Sequence, residues 1–319
     1  MRLSIGGYSF HRLLKDGKQD MFQYIADCKR LGATQLDPWN AQLAPIRDAD
    51  HVVKAGSDPG NAQLTSKDDE YVRRVRESAD AAGLPFGCIA VDGCHIYEPA
   101  PEAREANRSL ADRWLTVAEI LGAAQVRIDA GGPAEMPDDV FNIIVSGYYD
   151  LLERAGQKGI EVLIENHWGP SQIPENVVRI LEAVDGLGLL FDTWNWLPDM
   201  RERGWEMCAK YARSTHFKTF KFDETGNDPA VDTARAIRLL VESGYSGCWG
   251  IESVPEDGDE YGAVEKTAAL IRRTLHQLGV LEDLRHGSQP EPRQSEDRHH
   301  RRRSDRKDPP GKLPENPRR

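Results

Sequence analysis

Apolar and polar positions along the chain alternate between two periods. Residues 2–10 repeat at every second position and are rich in small and β-forming side chains. Residues 21–31 then take the three-to-four spacing of an amphipathic helix and stop at Gly32. The switch recurs down the chain. Apolar runs at 34–37, 86–91, 125–130, 160–165, 187–191, 215–222 and 248–253 read as strands. Helical patterns at 69–82, 103–121, 138–158, 175–184, 201–212, 233–242 and 261–278 follow them in turn. Gly83, Gly122, Gly159 and Gly244 fall where a helix needs a left-handed stop. Regular alternation implies parallel strands joined by crossover helices. Eight such units fit a single α/β domain, a closed (β/α)8 TIM barrel over residues 1–281, better than an open doubly wound sheet. Neither a G-x-G-x-x-G turn nor a G-x-x-x-x-G-K-[ST] loop is found to support a nucleotide-binding sheet.

The pattern fails near residue 282. Segments such as Ser288-Gln289-Pro290-Glu291-Pro292 and Arg301-Arg302-Arg303-Ser304 have almost nothing to bury, so residues 282–319 are expected to be a disordered basic tail. Residues 285–319 hold eleven Lys/Arg against six Asp/Glu; the preceding 284 residues therefore carry −16 of the chain's net −11. A body that acidic repels a phosphate backbone, which disfavours nucleic acid as a partner. No run of about 18 apolar residues occurs, so no membrane partner is expected. The start, Met1-Arg2-Leu3-Ser4-Ile5, enters a strand pattern with no charged-then-apolar leader. The five cysteines form no C-x-x-C pair. These features together predict a reduced, cytoplasmic protein.

In a TIM barrel the working side chains sit at the C-terminal ends of the strands. Four consecutive predicted strands end in or beside an ionisable group: Ile164-Glu165-Asn166-His167, Phe191-Asp192-Thr193-Trp194-Asn195, His216-Phe217-Lys218 and Ile251-Glu252-Ser253. A buried carboxylate needs a compensating partner, and four neighbouring strands with such ends are hard to explain as accidents of strand boundaries. Glu165, Asp192, His216 and Glu252 make a three-carboxylate, one-imidazole set suited to Mn²⁺, Mg²⁺, Co²⁺ or Zn²⁺, and the absence of thiolates argues against structural zinc. Strand alternation puts Lys218 on the face of His216, and His167 on the face of Glu165. Lys218 could stabilise an oxyanion or pair with a carboxylate. His167 and Asn195 could each bind a substrate hydroxyl or serve the rim, and Trp39, Trp194 and Trp196 could wall a sugar or pack the rim.

At these residues, together with Phe222-Asp223-Glu224-Thr225-Gly226 and Gly244-Tyr245-Ser246-Gly247, the sequence resembles the xylose isomerase-like sugar phosphate isomerase/epimerase family of TIM barrels, which also contains the endonuclease-IV branch. The resemblance covers about residues 1–280 and is strongest from Glu161 to Leu275. It implies that Glu165, Asp192, His216 and Glu252 bind the metal. It also implies that Glu165 and Glu252 act as an acid/base pair on opposite faces of the substrate, and that Lys218 is the family's lysine two residues after the histidine. The implied activity is metal-dependent isomerisation or epimerisation of a sugar, keto-sugar or related polyol through an enediolate, which a bridging cation would stabilise. Two rivals share the residues: a dehydratase or lyase on a keto-sugar or inosose, and a barrel that binds sugar without turning it over. Two departures stand out. Family epimerases carry a histidine at the place of Asn195, and Asp129-Ala130-Gly131-Gly132 lacks the histidine that the endonuclease branch uses for extra metals. Family members are often dimers or tetramers, which leaves a homo-oligomer open.

Overall fold

In the computed structural model, residues 1–44 and 64–281 are described. The tail predicted for 282–319 lies outside the described residues. Among the described residues seven ladder strands run parallel: β1 (Leu3–Ile5), β2 (Cys88–Val91), β3 (Gln125–Ile128), β4 (Glu161–Glu165), β5 (Gly188–Asp192), β6 (Ala212–His216) and β7 (Trp249–Ile251). β2 through β6 pair in chain order, and β1 pairs with β7, Ile5 opposite Ile251. Isolated parallel bridges close the ring. Gly6 meets Asp37, Leu36 meets Phe86, Trp39 meets Ala90, and Phe217 meets Ile251. The segment predicted as strand 34–37 thus holds the second barrel position without forming a continuous ladder. The (β/α)8 TIM barrel expected from the alternation is present.

Pleating sorts each strand. Ile89, Val91, Val126, Ile128, Val162, Ile164, Leu189 and Phe191 face outward and join one core with helix residues such as Ile25, Leu115, Ile144, Ile180, Ile237 and Ile271. The inward positions are apolar low in the barrel, where Cys88, Leu163 and Leu190 pack together. Two residues further along the same faces come Ala90, Glu165 and Asp192. The long helices Pro101–Leu121 and Asp138–Gly156 behave as their spacing predicts, and Gly83 and Gly122 stop their helices at φ +70° and +65°. All five cysteines are buried and unpaired.

Three expected elements differ in extent. The predicted strand 2–10 ends at Ile5. The Gly6 amide donates to the Ile251 carbonyl, and the chain then winds into a short 3-10 turn, Gly7–Phe10. A β-carbon on Gly7 would lie 2.6 Å from the Trp39 backbone nitrogen, besides overlapping the Gln42 side chain, so only glycine fits this crossing. Helix 201–212 stops at Cys208. Strand 215–222 starts earlier, at Ala212, and its ladder ends at His216; beyond it Phe217 pairs with Ile251 only as an isolated bridge, and backbone hydrogen bonds keep the chain beside residues 250–256 as far as Phe220. A short helix, Asn40–Leu43, had no periodic signal in so few residues.

Candidate functional site

Glu165, Asp192 and His216 are the last residues of β4, β5 and β6, and Glu252 follows β7 directly. Asp192 and His216 are register partners, so their side chains start side by side. Each of the four offers one ligand atom, and these atoms all lie within 4.8 Å of one another, all four residues being buried. Asn166 ties two of the strands together. Its side chain donates to the Asp192 carbonyl at 3.0 Å and accepts from the Asp192 amide at 2.9 Å. Asp192 Oδ1 accepts from the Trp194 and Asn195 amides at 2.6 and 2.8 Å, which fixes the carboxylate plane.

His216 Nδ1 lies 3.2 Å from Glu165 Oε1 and 3.5 Å from Glu252 Oε1. The Lys218 ammonium sits 2.8 Å from Glu252 Oε2, 3.2 Å from Asp192 Oδ2 and 2.9 Å from Asn195 Oδ1. Burial alone would raise Glu252, but Lys218 and His216 outweigh it and hold the carboxyl at about 2. Burial would lower His216, yet Glu252 and Glu165 push it up to about 9. Asp192 is raised: burial, with Glu252 and Glu165 alongside, prevails over Lys218.

A second acidic group lies next to the first. Asp92, Asp129 and His167 also bring ligand atoms within 4.8 Å of one another, but Arg127 on β3 already stands among them. Its Nη1 reaches Asp92 Oδ1 at 2.7 Å and Asp129 Oδ2 at 2.9 Å, and its Nε lies 2.9 Å from Glu165 Oε2. His167 Nδ1 is 3.1 Å from Asp129 Oδ2. Burial works against charge on Asp129, but Arg127 and His167 hold it down at about 2.

A cavity of about 450 Å³ opens above these groups. His167, Trp39 and Trp194 line it together with His216, Lys218 and Glu252. Trp39 donates its indole N–H to Asp92 Oδ2 at 2.7 Å, and Trp194 lies under the Arg201 guanidinium at 3.7 Å. Trp196 is not a wall: it is 2% exposed and packs against Phe191, because its neighbour in the helix, Gly204, leaves room for an indole. Asn195 does not line the cavity; its side-chain Oδ1 accepts from Lys218. Attention to the last four strands missed Arg127, Asp92 and Asp129. The same strand-end rule applied to Ala90-Val91-Asp92 and Val126-Arg127-Ile128-Asp129 would have found them.

The chemistry of the donor set fits a divalent ion. Three carboxylates and an imidazole converge, and Asp192 Oδ2 and Glu165 Oε2 are buried oxygens that make ion pairs but no hydrogen bond.

The chain belongs to the xylose isomerase-like TIM barrel family, whose model matches residues 20–274. It is 24% identical over 244 residues to the C-glycoside deglycosidase alpha subunit of Microbacterium trichothecenolyticum. That alignment takes in 71% of this chain and 56% of the relative, so the chain spans little more than half of the relative's length. Among solved structures, it is similar to the D-allulose 3-epimerase of Methylomonas sp., with TM-score 0.61, 16% identity and coverage of 86% of this chain and 98% of that one. It is also similar to a xylose isomerase-like TIM barrel protein from Mycobacterium smegmatis in complex with magnesium, with TM-score 0.60, 16% identity and coverage of 88% and 98%. At these identities the structures speak to the fold. Among the described residues no helix is long and apolar enough to cross a membrane.

Proposed function

We propose that the protein is a metal-dependent sugar isomerase or epimerase, moving a proton at the carbon beside a carbonyl. The observation that carries this reading is the convergence of Glu165, Asp192, His216 and Glu252 from four consecutive strands within 4.8 Å. An epimerase and a magnesium complex among the similar structures support it. A bound divalent ion would supply Lewis-acid stabilisation of the enediolate oxygens. Glu165 and Glu252 then serve opposite faces of the substrate, one removing the proton and the other returning it. For Glu252 Oε2 to take a proton, the Lys218 ammonium 2.8 Å away must leave it, and a substrate oxygen entering the cavity is the acceptor that draws it off. His167, Trp39 and Trp194 contact the sugar from the cavity wall. Asn195 acts through Lys218, which it holds at 2.9 Å.

A second reading has one observation in its favour, the deglycosidase name of the curated relative. There the same enediolate expels a group from the neighbouring carbon, with the electron pair of the breaking bond leaving on that group, instead of being reprotonated. Mass spectrometry of the product separates the two outcomes. The test of the shared step is solvent deuterium uptake into a panel of ketoses, beside elemental analysis of the purified protein. We expect about one divalent ion per chain, with exchange lost in Glu252→Gln. Metal-free protein that exchanges no sugar would remove the reading and favour a binding module.

A further inference from the structure

The cavity has two layers of different chemistry. Its floor is ionic, made of His216, Lys218, Glu252 and Arg127; its mouth is aromatic. Trp168 is 45% exposed and Tyr8 36%, and both line this same cavity. Only five large hydrophobic residues among those described are this exposed, so two at one mouth is a concentration.

Both rings are held before any ligand arrives. Trp168 stacks on His167 with centroids 3.8 Å apart at 22°, and His95 closes on it edge-on at 5.8 Å. The backbone that carries Trp168 is fixed as well. Gly169 follows at φ +56°, and a β-carbon there would lie 2.2 Å from the Gly132 carbonyl oxygen. Tyr8 stacks on His11 at 4.5 Å and 9°, and meets Trp39 edge-on at 5.2 Å. Rings fixed in this way lose little rotamer freedom on binding, so stacking on them is not offset by ordering.

Size points the same way. A 450 Å³ space holds about 15 waters at about 30 Å³ each, more than a free hexose displaces. A monosaccharide seated on the ionic floor would leave the aromatic layer in water. Indole and phenol rings pair favourably with a planar aromatic partner, offset-stacked or edge-on.

We propose that the substrate is a sugar joined to a planar aromatic group, with the sugar on the ionic floor and the aromatic part held at the mouth by Trp168 and Tyr8. This rests on the reading above that the floor receives a sugar. The test compares methyl and phenyl β-glycosides of glucose and of galactose, by calorimetry on the Mg²⁺-loaded protein. The phenyl member should bind about tenfold more tightly than its methyl partner, and Trp168→Ala and Tyr8→Ala should each bring that ratio towards one, with unchanged circular dichroism. Equal affinity within each pair, no binding of either phenyl glycoside, or a ratio insensitive to both substitutions would overturn it; the last result would leave the exposed rings to a contact between copies. A phenyl preference without deuterium exchange on any ketose would sink the proposed reaction and leave this inference standing.

Discussion

The two halves of the barrel mouth solve one electrostatic problem in different ways. On the β2–β3 side, Asp92 and Asp129 converge with His167 within 4.8 Å; on the β4–β7 side, Glu165, Asp192, His216 and Glu252 do the same. The first half carries its cation in the sequence. Arg127, 3% exposed, reaches both aspartates through one nitrogen and Glu165 through another. The second half has Lys218 and His216, which satisfy Glu252 and hold it at about 2, yet Asp192 still rises above its ordinary range. A cluster of acids at strand ends therefore does not by itself mark a metal centre. What separates the halves is whether a fixed guanidinium already stands where an ion would be proposed.

Removing that guanidinium should have the largest effect. Arg127→Met leaves Asp92, Asp129 and Glu165 buried without their shared partner. Breaking a buried ion pair from one side costs about 3–5 kcal/mol, so a large fall in the denaturant midpoint is expected. A midpoint near that of the parent would mean that the two halves do not differ as argued. Next comes Asp192→Asn, which takes a charge from the other half while keeping the shape and the Asn166 bonds to the backbone. Divalent-ion affinity, read in competition with a chelating dye, should fall more than about 100-fold, since even groups one shell further out are worth 10–100-fold. Unchanged affinity would move the ion elsewhere.

The same contrast explains what the sequence disclosed. The eight-unit alternation and glycine stops such as Gly122 are local, repeated and redundant, so the barrel was legible. Glu165, Asp192, His216 and Glu252 were legible because polar residues break apolar runs at equivalent places. Trp196 misled because an indole near a strand end reads alike whether Gly204 makes room for it inside or the cavity receives it. The turn after Ile5 was hidden for a related reason: Gly7 is required by the close approach of the Trp39 backbone, thirty-two residues away in sequence. Arg127 was overlooked because a cation inside an apolar strand declares its purpose only once three carboxylates from other strands surround it.

Proton competition bears on the β4–β7 half as a proposed cation site. In the metal-free protein His216 holds its proton up to about 9, and it must release that proton before a ring nitrogen can bind an ion. Ion affinity should therefore rise about tenfold per pH unit towards pH 9 and level off above it. The folding contribution runs the opposite way. A pKa raised above the unfolded value of about 6.5 stabilises the metal-free chain fully below that value, and the benefit is lost as pH rises through about 9. Glu252, depressed to about 2, contributes above its unfolded value of about 4.3 and loses that contribution as the pH falls towards 2. Affinity independent of pH between 7 and 9 would exclude His216 as a ligand.

The smallest expected effect is the most discriminating, because it reverses the usual sign. Lys218 stands 2.8 Å from Glu252 and 3.2 Å from Asp192, two of the four proposed ligands, so its ammonium competes with an ion for their charge. Lys218→Met keeps the length of the stem and removes the charge. If the β4–β7 half is a cation site that Lys218 only partly neutralises, the substitution should tighten divalent-ion binding by about tenfold, roughly 1.4 kcal/mol, while abolishing deuterium exchange. Were Lys218 instead the analogue of Arg127, its loss would unfold the site and weaken ion binding, as removal of a fixed structural partner does. Tighter binding with lost exchange identifies a lysine that works on the substrate; weaker binding with a lower denaturant midpoint identifies a structural one.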